Sequence, residues 1–133
     1  MEITSNSPLQ TIKIAEKFAK TLKPNDIVIL NGEMGAGKTV FAKGVAKGLK
    51  IKDSITSPTF VYMNDYNGKL YHYDCYRLKS GEEAESLGLS DYFYAGGICL
   101  IEWAENIKEI LPQKYITVNI IKTDEQSRKI EIK

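Results

Sequence analysis

The stretch GEMGAGKT at residues 32–39 constrains the fold of this chain more than any other segment. It matches the pattern G-x-x-x-x-G-K-[ST]. The short apolar run Ile27 to Leu30 comes directly before it. Apolar residues then recur at helical spacing after it, at Phe41, Ala42, Val45, Ala46 and Leu49. A glycine-rich loop between a buried parallel strand and a helix is the context in which this pattern binds phosphate.

Each fixed position of the loop has a physical reason. Gly32, Gly35 and Gly37 permit backbone conformations and close approaches that a Cβ atom would obstruct. Successive N–H groups, together with the positive end of the following helix, then form a site for a β-phosphate. Lys38 is expected to reach the β- and γ-phosphates, and the hydroxyl of Thr39 is expected to bind Mg²⁺. The loop therefore predicts binding of a nucleotide phosphate.

The rest of the chain predicts an α/β fold. Ser7 to Gln10 fit a capping box with Pro8 at the first helical position. The pattern further predicts strands at Thr59–Asp65, Lys69–Tyr76, Gly97–Glu102, Tyr115–Ile121 and Lys129–Ile132, short helices over 81–94, and a helix at Ala104–Leu111. Asn67-Gly68 predicts a hairpin turn between the first two of these strands. We expect a single P-loop domain over residues 1–133, with α/β/α layers and a mixed sheet that has a parallel core and antiparallel additions.

Composition excludes several classes of protein. The net charge is +1, from 18 basic and 17 acidic residues, without a basic block that would grip nucleic acid unaided. The longest apolar runs are far shorter than the roughly 20 residues of a membrane span. No apolar signal segment is present at the start, so we expect a cytoplasmic protein. Cys75 and Cys99 have no metal or redox spacing and are expected to be reduced core thiols.

Two acids are candidates for the site that would act on the phosphate. Glu102 ends the apolar run ICLI, and a parallel strand exposes its last side chain at the carboxyl edge of the sheet. Alternatively, Glu102 simply begins a loop. Asp74 lies on an aromatic strand, where a buried acid needs a partner or a metal. An internal ion pair with Arg77 or a nearby lysine is the alternative, and the spacing also permits a hydrogen bond between His72 and Asp74.

The segment after the loop's helix contains three hydroxyl side chains, those of Thr56, Ser57 and Thr59. In switch-type nucleotide hydrolases the corresponding segment senses the γ-phosphate. An ordinary turn built from hydroxyl groups and Pro58 accounts for the same residues, and the sequence does not decide between the two.

Four motifs taken together resemble one family. GEMGAGKT, SPTF at 57–60, HYDCYRL at 72–78 and LIEW at 100–103 follow in the order and spacing of the TsaE family, also described as YjeE-like. That family comprises small bacterial ATPases required for threonylcarbamoyl adenosine in tRNAs that read codons beginning with A. The resemblance covers nearly the whole chain and implies a compact P-loop fold that binds ATP and Mg²⁺.

The resemblance also implies roles for individual residues. The phosphates would be cradled by Gly35, Ala36, Gly37, Lys38 and Thr39. Thr39 and Glu102 would hold Mg²⁺, and Lys38, Glu102 and Asp74 would be the catalytic residues.

The adenine contacts of the family map loosely onto Ser7, Pro8 and Arg128. Val40 departs from the family, which usually has a second threonine there. The missing hydroxyl predicts a weaker contact with the α-phosphate.

The implied partners are TsaD and TsaB, whose complex transfers the threonylcarbamoyl group, with tRNA contacted only through that complex. Arginine fingers add roughly 10³ to 10⁵ in rate in other nucleotide hydrolases, and this chain has only Arg77 and Arg128 to offer. We therefore expect slow hydrolysis alone and stimulation by the partner complex. The competing interpretations are a small-molecule kinase, a non-hydrolysing nucleotide-gated binding module, and direct RNA binding.

Overall fold

Strands and helices alternate along the chain in the computed structural model, which describes residues 1–33, 35–55 and 62–133. The helices are α1 (Pro8–Ala19), α2 (Lys38–Gly48) and α3 (Gly81–Ser86). The strands are β1 (Glu2–Ser5), β2 (Ile27–Gly32), β3 (Met63–Tyr66), β4 (Leu70–Asp74), β5 (Ile98–Glu102), β6 (Ile116–Lys122) and β7 (Arg128–Ile132). Two 3₁₀ segments, Leu89–Tyr92 and Ala104–Ile110, lie on either side of β5.

The strands form one mixed sheet in the order β1-β7-β6-β2-β5-β4-β3. β4 and β5 are parallel, with Leu70 opposite Ile98 and Asp74 opposite Glu102. The outer pairs β1–β7, β6–β7 and β3–β4 are antiparallel. This arrangement confirms the predicted α/β fold with a parallel core and antiparallel additions.

The chain divides into two compact units, and β2 contributes to both. The first unit contains β1, α1, α2, β7, the end of β2 and nearly all of β6. Its two helices pack so closely that a Cβ atom added to Gly44 would lie 2.5 Å from the Cβ atom of Ala15. The same addition at Gly48 would lie 2.5 Å from the carbonyl oxygen of Glu16. Glycine is therefore required on the α2 face that meets α1.

The second unit contains the start of β2, then β3, β4, α3, β5 and both 3₁₀ segments. Its apolar core is built on the side chains of β4 and β5, and Tyr73 is completely buried there. The hydroxyl group of Tyr73 donates to the carbonyl of Leu89 at 2.7 Å, which satisfies the buried polar atom. Asn67 and Gly68 adopt φ angles of 59° and 70°, as the predicted hairpin turn requires.

Two local features differ from the sequence predictions. β1 was not predicted, because Glu2–Ser5 alternate without a strong apolar pattern; it pairs with β7 and buries Ser5. The segment after β5 forms a kinked 3₁₀ segment, with a non-helical φ of −128° at Ile107.

Candidate functional site

The glycine loop leaves β2 and enters α2 through two residues with left-handed backbone. Gly35 has a φ of 81° and Gly37 a φ of 105°, a region that side chains with a Cβ atom rarely adopt. At Gly32, an added Cβ atom would lie 3.0 Å from the carbonyl oxygen of Ile120. Each predicted glycine of the loop therefore has a steric or conformational reason in the structure.

The N-terminus of α2 has the features of an anion site. Gly37 is the N-cap and supplies no side-chain hydrogen bond to the first turn of the helix. The first N–H groups of a helix lack partners within the helix, and its dipole favours negative charge there. Thr39 is exposed in this first turn, and Lys38 is half-buried. The N–H group of Ala36 is directed differently, because it donates to the carbonyl of Glu33 at 2.9 Å.

Arg128 lies against the loop. Its Nε atom donates to the carbonyl of Ala36 at 2.7 Å, and its Nη2 atom donates to the carbonyl of Gly35 at 3.3 Å. Its Nη1 atom contacts the carbonyls of Asp124, Glu125 and Ser127 at 3.0, 3.3 and 2.9 Å. All three guanidinium nitrogens therefore contact backbone carbonyl oxygens of the protein itself.

A small cavity adjoins the loop. It is lined by Pro8, Thr11, Gly37, Val40, Glu125, Gln126 and Arg128, and its volume is about 40 Å³. The cavity brings together the predicted residues Pro8, Val40 and Arg128. One water molecule needs about 10–15 Å³ of such space, so the cavity holds a few waters but not a purine base. Ser7 does not line it, because its hydroxyl caps α1 by accepting from the N–H group of Gln10 at 3.1 Å.

Glu102 lies at the carboxyl end of β5 but is buried, with 8% exposure, where the sequence predicted an exposed carboxylate. The Nε2 atom of His72 donates to the Glu102 Oε2 atom at 2.7 Å. This pairing replaces the His72–Asp74 pair that the spacing permitted. The reason is the parallel register, which sets Asp74 beside Glu102 and brings the β5 carboxylate over the β4 histidine. Within the part of the chain that the structure describes, the buried Nδ1 atom of His72 has no hydrogen-bond partner.

Asp74 is half-buried at the end of β4, and its Oδ1 atom accepts a hydrogen bond from the N–H group of Tyr76 at 3.0 Å. Among residues 1–33, 35–55 and 62–133, it forms no ion pair with Arg77 or with a lysine. The ion-pair alternative therefore finds no support in the described residues, and Asp74 lies beside Glu102 in the register of the two strands.

Three other residues lie on β4 and β5 or directly after them: two cysteines with unreactive thiols and a tryptophan with strained backbone. Burial raises the pKa of Cys75 to about 12 and that of Cys99 to about 11, which fits the expected reduced core thiols. Trp103 follows Glu102 with a φ of 60°, an uncommon conformation for a bulky residue. Its ring packs edge-on against Tyr76, with 4.9 Å between ring centroids. Strain of this kind is found most often at functional sites.

One further predicted segment falls outside the described residues. Thr56, Ser57 and Thr59 lie in the range that the structure does not describe. Within the described ranges, no three His, Cys, Asp or Glu side chains form a group that could hold a metal ion. No described helix is long and apolar enough to cross a membrane.

The sequence did not predict the contacts that Arg128 and His72 make. Arg128 contacts a loop that lies 92 and 93 positions earlier, and His72 contacts an acid 30 positions later. A signal was present in the rarity of arginine, since 16 of the 18 basic residues are lysines. Arg128 is the first residue of β7, and a guanidinium group offers a planar fork of donors that lysine cannot replace.

Known proteins resemble this chain over nearly its whole length. The family model described as "Threonylcarbamoyl adenosine biosynthesis protein TsaE" matches residues 5–130. A Bacillus subtilis protein named as a tRNA threonylcarbamoyladenosine biosynthesis protein TsaE is 43% identical, over 93% of this chain and 79% of its own length. The protein of the same name from Treponema pallidum is 37% identical, over 99% of both chains.

A solved structure agrees with these matches. The crystal structure of YdiB from Bacillus subtilis superposes with a TM-score of 0.80 at 38% identity, over 98% of this chain and 82% of that one. The range matched by the family model includes the glycine loop, Asp74 and Glu102. The chain belongs to the TsaE family.

Proposed function

We propose that this chain binds ATP with Mg²⁺ and hydrolyses it in support of a TsaD–TsaB complex that forms threonylcarbamoyl adenosine in tRNA. The observation that carries the proposal is the left-handed backbone of Gly35 and Gly37 at the start of α2, in a chain of the TsaE family. The relatives are named for tRNA threonylcarbamoyladenosine biosynthesis. We also propose that residues 1–133 act as one ATPase domain in the cytoplasm, where tRNA is modified.

The loop supports nucleotide binding through its backbone. The left-handed Gly35 and Gly37 and the uncapped start of α2 fit an anion, because they leave N–H groups without partners inside the helix. Lys38 opens the helix and would add a charge-assisted hydrogen bond to the β- and γ-phosphates. Pro8 and Val40 would lie on the side of the base and the α-phosphate, beside the small cavity.

Thr39 and Glu102 are our proposed protein ligands for Mg²⁺. Magnesium is usually held by one or two carboxylates together with substrate phosphates and water, and not by an all-protein cage. Thr39 and Glu102 would supply a hydroxyl group and a carboxylate of this kind. When bound, the ion would neutralise charge that develops on the phosphate oxygens.

Catalysis by the protein's own side chains would depend on Lys38, Glu102 and Asp74. His72 fixes one oxygen of the Glu102 carboxylate, which leaves the orientation of this group set before any ligand arrives. Asp74, half-buried beside it in the strand register, would act in turnover and not in nucleotide binding.

Hydrolysis by the isolated chain is expected to be slow. The contacts of Arg128 with carbonyl oxygens engage each of its guanidinium nitrogens, so it is poorly placed to serve as an arginine finger. Arg77 is exposed and is the other arginine of the chain. Stabilisation of the transition state by an arginine or an equivalent group would then come from the partner complex.

The decisive experiment reconstitutes tRNA modification from TsaD, TsaB, tRNA and an independent supply of the activated threonylcarbamoyl intermediate. We expect multiple turnovers only when this chain and ATP are both present, and a single turnover at most with a non-hydrolysable ATP analogue. Multiple turnovers without the chain would contradict the proposed function. Tight binding without measurable hydrolysis in the full complex would instead indicate a nucleotide-gated module.

A further inference from the structure

The guanidinium group of Arg128 connects two segments of the first unit. On one side it donates to the carbonyls of Gly35 and Ala36 in the phosphate loop. On the other side it donates to the turn between β6 and β7, through the carbonyls of Asp124, Glu125 and Ser127. The contacts with the carbonyls of Ala36 and Ser127 are partly buried, and those with Gly35, Asp124 and Glu125 are exposed.

The turn is itself ordered. The Oδ1 atom of Asp124 accepts hydrogen bonds from the N–H groups of Gln126 and Ser127, both at 2.9 Å. These two hydrogen bonds lower the pKa of Asp124, so its carboxylate remains ionised and in place near neutral pH. Arg128 therefore connects the loop to a turn that is stabilised by its own hydrogen bonds.

The contacts of Arg128 with two loop carbonyls also determine the direction of the neighbouring N–H groups. In a trans peptide the C=O group of one residue and the N–H group of the next point in opposite directions. The Gly35 carbonyl faces Arg128, and the N–H group of Ala36 correspondingly donates to Glu33 on the other side. The Ala36 carbonyl also faces Arg128, which directs the N–H group of Gly37 away from the guanidinium.

We propose that Arg128 is a positioning residue that orients the N–H group of Gly37 for phosphate binding by holding the loop's carbonyls, and that it does not bind the base. This inference rests on the proposed nucleotide binding and specifies how the loop is prepared for it. Two other roles are possible for a basic residue here: a contact with adenine, or a general attraction of the phosphates by its charge. Each role predicts a different response to substitution.

The test compares Arg128→Lys and Arg128→Gln with the matched control Lys129→Gln. Lys129 is the neighbouring residue on β7 and pairs with Glu131 at 3.7 Å, so its substitution removes the same charge without touching the loop. Calorimetry would measure the affinity of each variant for ATP and for inorganic tripolyphosphate, which lacks the base. We expect both Arg128 variants to bind both ligands about tenfold more weakly or worse, because lysine cannot supply the planar fork of donors.

Each alternative has its own signature. Loss of ATP affinity with unchanged tripolyphosphate affinity would overturn the proposal in favour of a base contact. Full affinity in Arg128→Lys, with loss only in Arg128→Gln, would overturn it in favour of charge attraction. If the unsubstituted protein binds neither ligand, the proposed function fails first, and that outcome is distinct from these two.

Amide hydrogen exchange gives a readout that needs no ligand. In Arg128→Lys we expect faster exchange at the amide of Ala36, which donates to the carbonyl of Glu33, and unchanged exchange at the core amides of Leu100 and Ile101. Faster exchange at all three amides would indicate a general loss of stability and would count against a positioning role. Unchanged exchange at Ala36 would overturn the proposal directly.

Discussion

The phosphate loop and the acid region are organised in different ways. In the loop the groups proposed to bind phosphate belong to the backbone, and a cationic side chain from β7 holds the carbonyls of Gly35 and Ala36. In the acid region the proposed group is a side chain, Glu102, and a buried histidine from the neighbouring strand holds it. The loop thus depends on peptide orientation, whereas the acid region depends on the orientation of a side chain.

This difference predicts that the two regions contribute to different steps, nucleotide binding and turnover, which experiments can separate. A site made of backbone donors and a lysine contributes chiefly to nucleotide affinity. A single oriented carboxylate contributes chiefly to the stabilisation of charge during reaction. Substitutions in the loop should therefore change binding, and substitutions in the acid region should change turnover.

The largest effect is expected for Lys38→Ala, which should lose ATP binding and with it hydrolysis. Removing a charge-assisted hydrogen bond costs about 1.5–3 kcal/mol, and Lys38 opens α2 at its positive end. Calorimetry with ATP measures the change. Lys43→Ala, an exposed lysine on the same helix, is the control and should bind normally. Unchanged affinity in Lys38→Ala would refute the assignment of the loop.

Glu102→Ala should retain some nucleotide affinity and lose hydrolysis and tRNA modification. Removing an oriented group that stabilises developing charge costs about 100-fold or more in rate. A phosphate-release assay beside calorimetry separates the two effects. Glu105→Ala, an exposed acid in the following 3₁₀ segment, should behave as the unsubstituted protein. Normal hydrolysis in Glu102→Ala would show that the reactive acid lies elsewhere.

Asp74→Ala should bind ATP and fold, yet fail in turnover. The substitution also removes the hydrogen bond from Tyr76, which contributes about 1 kcal/mol. Asp65→Ala is the matched control, because Asp65 accepts a similar bond from Gly68 in the hairpin of the same unit. Thermal unfolding and the phosphate-release assay are measured on both variants. If Asp74→Ala unfolds where Asp65→Ala does not, Asp74 has a structural role.

The smallest effect is expected at His72. His72→Ala removes the donor that holds Glu102 and should slow hydrolysis by about tenfold, at unchanged ATP affinity. His72→Gln should recover much of the rate, because its amide nitrogen can donate to the same carboxylate oxygen. Equal rates in the alanine and glutamine variants would show that the histidine packs the core without orienting the acid.

Sequence patterns predicted most of the fold because its periodicities are local. The apolar runs of β2 and β5 and the helical spacing of α2 follow directly from residues that are neighbours along the chain. β1 escaped prediction because its stability comes from pairing with β7, at the other end of the chain. Pairing with a distant partner leaves little trace in a four-residue segment.

The residues of the candidate site were also proposed from local motifs, and their roles stay predictions. The loop and the ends of β4 and β5 carry motifs, so Lys38, Asp74 and Glu102 could be named from the sequence. Their supports could not. The partner of Glu102 is set by the parallel register of two strands, and the use of Arg128 is set by contacts across more than 90 positions.

The close contact of α1 and α2 has a mechanical consequence. The loop continues into α2, which is locked against α1 where Gly44 meets Ala15. The chain leads back from α1 to β1, and Ser5 of β1 lies opposite Arg128 of β7, whose guanidinium grips the loop again. The loop is therefore held at two points of the first unit, through α2 and through the contact with Arg128. A displacement of the loop would have to disturb both the packing of α2 on α1 and the hydrogen bonds of Arg128.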